Sequence, residues 1–221
     1  MAATIAARPL PGSLQHCRRT SFRGRQRSQL VVRPSIPSRR SRRGPGPCFA
    51  EIGLFFSTST GHTEEVASFI QEELGTAEPQ EIGEVELSSL EEYDGLVVGA
   101  PTWNTGADEA RSGTAWDDVL ANIAGLNLKG KPVAVYGLGD AIGYGDYFCD
   151  AMEEVYRNFE EAGAKMIGHW PADDYEHSDS KALLSDGTFC GLPLDQDNED
   201  DKTEGRIKAW AAQLKKEGIA A

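Results

Sequence analysis

A doubly wound α/β fold built on a five-stranded parallel sheet is predicted by three observations. Short, fully apolar runs recur along the chain. Apolar residues at helical spacing separate them, and the loops following the clearest runs are rich in Gly, hydroxyl and aromatic residues. Strand and helix alternating over this length imply right-handed βαβ crossovers and a parallel sheet covered on both faces.

The elements follow in order. "EIGLFFS" (51–57) reads as a buried strand, and Val66, Phe69, Ile70 and Leu74 mark a helix from about Thr63. "EIGEVELSSL" allows a weaker strand near 82–87. "GLVVGAP" (95–101) and "PVAVYGLG" (132–139) are further buried strands. Between them Trp116, Val119, Leu120 and Ile123 share one helical face. Phe148, Met152, Val155 and Phe159 predict the next helix, "AKMIGHW" (164–170) a fifth strand, and Ile207, Trp210, Ala211 and Leu214 a final helix. Residues 171–202 break the rhythm: they are polar and acidic around an apolar island, "TFCGLPLD" (188–195), which predicts one more short strand in an ordered excursion.

Charge divides the chain differently. Residues 1–50 hold eleven Arg and no acid; the other eleven basic residues and all thirty-five acids come later. The net −13 is thus +11 on the first segment and −24 on the rest. An acid-free segment rich in Arg and Ser has the composition of an organelle transit peptide, expected over residues 1–48, with one domain over 49–221. A −24 body is a poor partner for nucleic acid, and no apolar run is long enough for membrane insertion. Cys17, Cys48, Cys149 and Cys190 match no zinc or iron–sulfur spacing, and Cys149 and Cys190 read as small buried hydrophobes.

In an open parallel sheet, ligands bind beyond the carboxyl ends of the strands. Three unusual loops meet there: "STSTGHT" (57–63), "APTWNTG" (100–106) and "GLGDAIGYGDYF" (137–148). No Lys follows Gly61, so the first is not a P-loop, and "GLGDAIG" misses the dinucleotide fingerprint by one residue and by position. What remains is a phosphate monoester at a helix N-terminus, carrying a planar ring between Trp103 and Tyr144.

From about residue 51 to 217 the chain resembles the flavodoxins, and among them the long-chain type of eukaryotic algal chloroplasts. The matching pieces are "IGLFFSTSTGHTEEVA", "GAPTWNTGADEARSGTAWDD", "GLGDAIGYGDYFCDA", "DGTFCGLPLDQDN" and "RIKAWAAQL". The resemblance implies strand order 2-1-3-4-5, for which flavodoxin is itself the standard example, with helices on both faces and the last strand interrupted by an insertion. It also implies non-covalent FMN and no catalytic residues. Thr58, Ser59, Thr60, Gly61, His62 and Thr63 would surround the phosphate, with Trp103 on the inner and Tyr144 on the outer face of the isoalloxazine. The backbone from Asn104 through Thr105 to Gly106 would respond to flavin protonation. Thr102, Gly139, Asp140 and Asp146 would line the same cleft, with Tyr147 near the ring edge. His62 and Tyr147 both stand where the family usually has Asn.

The function so implied is a low-potential one-electron carrier, a monomer of the chloroplast stroma. It would take electrons from photosystem I and pass them to ferredoxin–NADP⁺ reductase in place of ferredoxin under iron limitation. A flavin-dependent NAD(P)H quinone reductase of the same fold is the competing expectation.

Overall fold

A computed structural model describes residues 51–219. The Arg-rich segment 1–48, with Cys17 and Cys48, lies outside the described residues.

Strand β1 (Ile52–Phe56) is buried throughout and leads into helix α1 (His62–Leu74). Strand β2 (Gln80–Glu81) is followed by 3-10 segments at Ile82–Glu84 and Leu87–Glu92. Strand β3 (Gly95–Pro101), helix α2 (Trp116–Ile123), strand β4 (Pro132–Leu138) and helix α3 (Asp150–Glu161) complete the central part. Short strands β5 (Lys165–Ile167), β6 (Trp170–Pro171), β7 (Thr188–Phe189) and β8 (Leu192–Leu194) precede the last helix, α4 (Asp200–Glu217).

The sheet is parallel with order β2-β1-β3-β4-β5, as expected. The interrupted last strand takes a specific form. Pro132–Ala134 of β4 pairs with β5, while Tyr136–Leu138 pairs with β8, so two separate segments fill one sheet position. Gly168, at φ 82°, turns the chain away after β5. The excursion between them folds back through an antiparallel β6–β7 pair.

The expected strand at 82–87 does not form. Pairing with β1 is confined to Gln80 and Glu81. Ile82 and Leu90 instead drop their side chains into the core from 3-10 turns, so apolar spacing there served single anchors rather than a pleated face.

Alternation along the strands builds two apolar layers. Phe55, Leu96, Val98, Val133 and Val135 face Trp116 and Leu120 of α2 and Met152, Val155 and Phe159 of α3. Leu54, Phe56, Val97, Ala134, Leu192 and Leu194 face Val66 and Ile70 of α1 and Trp210 and Leu214 of α4. Cys149 and Cys190 are buried free thiols, and burial pushes both upward from the usual thiol range.

Candidate cofactor site

The sheet order reverses between β1 and β3, and the loops leaving β1, β3 and β4 open onto one cleft of about 230 Å³. Its floor is the end of β3 and β4, at Pro101 and Leu138.

The first wall is the hydroxyl-rich loop. Ser57 is buried and accepts the Ala115 N–H through Oγ at 3.2 Å. Gly61 adopts φ 95°, which lets the chain turn sharply into α1, and its N–H donates to Thr58 Oγ1 at 2.9 Å. The amides of Ser59, Thr60, His62 and Thr63 have no protein acceptor among the described residues. Such free amides, with the helix dipole behind them, form an anion cradle. The buried Tyr136 hydroxyl donates to the Thr63 carbonyl at 3.1 Å and so pins the first turn of α1 to the sheet. Burial holds that phenol well above its usual range, aided by the Glu81 charge. Glu81 itself, at the end of β2, is raised by burial despite hydrogen bonds from Ser57 and the Thr58 backbone.

The second wall leaves β3. The Thr102 N–H donates to Leu138 (3.0 Å), and Thr102 Oγ1 accepts from Ala151 N–H at 3.2 Å, fixing the loop between β4 and α3. Trp103 is 50% exposed at the cleft mouth. The third wall follows β4. Asp140 accepts from Ile142 N–H (3.0 Å), Gly143 N–H (2.6 Å) and Asn198 Nδ2 (2.9 Å). The Gly143 amide above all holds its carboxyl below the usual range. This turn presents Tyr144, 57% exposed, and then Tyr147, whose ring lies 3.4 Å from where a Cβ on Gly106 would sit.

Thr60, His62, Thr63, Thr102, Trp103, Thr105, Gly139, Asp140, Tyr144 and Tyr147 line the cleft together. The side chains of Thr58 and Asn104 are turned onto their own loops, by bonds to Gly61 N–H and to the Ala110 carbonyl, and Ser59, Gly61, Gly106 and Asp146 stand outside the lining. Sequence reasoning missed Gln196 and Asp197, which close the cleft from the loop after β8. Buried Asp195 organises that loop, accepting from Ala141, Asp197 and Asn198 N–H groups. The signal was present: the island at 188–195, expected to add one strand, carries two, β7 and β8, and the loop after the carboxyl end of β8 belongs to the same rim. Among the described residues no Lys or Arg lines the cleft, whereas Asp140 and Asp197 do.

The donor set fits FMN. Free amides and hydroxyls at a helix N-terminus suit a phosphate, and two aromatics at the mouth suit a planar ring.

The flavodoxin family model matches residues 54–210. A flavodoxin from Nostoc sp. is 42% identical over 169 residues, covering 76% of this chain and 96% of that protein. Flavodoxin 1 of Escherichia coli is 38% identical over 170 residues, covering 76% and 94%. Among solved structures, Fusobacterium nucleatum flavodoxin bound to flavin mononucleotide superposes with a TM-score of 0.68 at 27% identity, covering 76% of this chain and 98% of that one.

Proposed function

The chain belongs to the flavodoxin family, and on that premise we propose that it is a one-electron carrier holding FMN non-covalently in the cleft described above. The observation that carries this is the pairing of an anion cradle of free amides and hydroxyls with an exposed aromatic pair at the switch in strand order.

Bound FMN supplies one-electron chemistry at its isoalloxazine ring. The chain does the rest. The free backbone amides of Ser59, Thr60, His62 and Thr63 and the hydroxyls of Thr60 and Thr63 would hold the phosphate. Trp103 and Tyr144 would cover the ring and exclude water from its faces. Asp140 and Asp197, with no cation beside them in the lining formed by the described residues, would oppose added negative charge and so lower the potential.

We extend the proposal to a setting. Within the family the chain is of the long-chain type akin to chloroplast flavodoxins of algae, and residues 1–48 are its transit peptide. It carries electrons from photosystem I to ferredoxin–NADP⁺ reductase in the stroma when iron is scarce. The acid-free first segment and the −24 charge of the remainder support this reading, because the latter suits fast, transient docking onto basic surfaces. Stopped-flow reduction tests it. NADPH alone should leave the yellow protein oxidised, and added ferredoxin–NADP⁺ reductase should reduce it. Rapid reduction by NADPH alone would instead identify a quinone reductase.

A further inference from the structure

Two consecutive acids on α3, Glu153 and Glu154, stand outside the cleft lining, yet both reach the loop that carries Trp103. Glu154 is 6% exposed and accepts the N–H groups of Ala110 and Arg111, one through each oxygen, both at 3.0 Å. The Arg111 carbonyl in turn accepts the N–H groups of Trp103 (3.2 Å) and Asn104 (3.1 Å). Asn104 Nδ2 donates back to the Ala110 carbonyl at 2.6 Å.

The cation of this group is equally fixed. The buried Arg111 guanidinium donates to Glu153 at 2.6 Å, to the Asp150 carbonyl at 2.9 Å and to the Asp108 carbonyl through two nitrogens. Ala110 sits at φ 56°, one of two non-glycine residues with positive φ among those described. That backbone is unfavourable for alanine, and the charge-assisted bonds from the Ala110 and Arg111 amides to Glu154 offset the strain.

We propose that Glu154 is a positioning residue for the ring-facing turn: its carboxylate, through Ala110 and Arg111, sets where the Trp103 and Asn104 backbone stands over the cleft. The assignment rests on the FMN reading of that cleft. It makes helix α3 part of the cofactor site although no α3 side chain lines it.

Glu154→Gln tests this, because it keeps the side chain's size but sets an NH₂ group against a backbone N–H. Glu160→Gln removes the same charge from the exposed side of the same helix and serves as control. In the FMN-free protein, amide exchange at Trp103, Asn104, Ala110 and Arg111 should accelerate roughly tenfold in E154Q, with Val97 and Val98 unchanged. On adding FMN, its Kd should rise roughly tenfold and its midpoint potentials should shift. E160Q should match the wild type in every readout. Wild-type exchange at Trp103 and Asn104 in E154Q, an unchanged potential, or an equal shift in E160Q would each overturn the assignment. If E154Q does not fold, Glu154→Asp retains the charge and should change the same readouts in the same direction by less. A wild-type chain that takes up no FMN would refute the FMN reading, while the exchange data would still decide the anchor.

Discussion

Tyr144 has more than half its surface in solvent, which is costly unless something flat covers it. Its truncation to Ala should weaken FMN binding by about tenfold or more, the loss expected for one stacked aromatic face. The same change should leave the stability of the FMN-free protein within about 0.5 kcal/mol, since little packing is removed. Titration of flavin fluorescence and a denaturant curve separate the two effects. Asp140 behaves differently because its carboxylate is bonded by the protein's own groups. Its folded pKa lies below the ordinary 3.8, so its stabilising contribution is complete above that value. It is lost as pH falls through the lower folded value. Thermal unfolding of Asp140→Asn should therefore show a shallower loss of Tm below about pH 4 than the wild type. Parallel slopes would remove Asp140 from the acid response.

At the scale of elements, β8 is the least conspicuous strand and the most consequential for the site. It lies beside Tyr136–Leu138 of β4 and delivers Gln196 and Asp197 to the cleft rim, with Asp195 buried behind them. Close approach there depends on Gly191, where a Cβ would come within 2.1 Å of the Val135 carbonyl oxygen. Gly191→Ala should cost about 3 kcal/mol or more, because backbone rather than a flexible side chain must move. Chemical denaturation measures this, and a cost under about 1 kcal/mol would show that the sheet yields. The long elements were legible because apolar periodicity reports burial directly, as in β1, β3, β4 and all four helices. The 82–87 segment was misread because Ile82, Val85 and Leu87 alternate no better for a strand than for anchored turns. Asp195 and the Glu154–Arg111 connection were invisible for another reason. Their long-range partners are backbone groups 43 to 54 residues away, and a backbone amide leaves no mark on the sequence.

Over the whole molecule, the −24 charge beyond residue 50 governs encounter rather than folding. Association with the proposed reductase should slow several-fold between roughly 50 and 300 mM salt while FMN affinity changes far less, since screening acts on exposed charges. Equal sensitivity of both would locate the field at the cofactor instead. The shared sheet position of β5 and β8 has a further consequence. The turn at Leu184–Gly187, held by the Leu184 and Gly187 amides, leads from the excursion into β7 and β8. A chain cut between Ser185 and Asp186 would yield a long fragment bearing the cradle and both aromatics. The short fragment would bear β8, the Asp195–Asp197 rim and α4. Their reunion would regenerate the cleft, so the molecule lends itself to use as a split reporter whose reassembly is read in flavin colour.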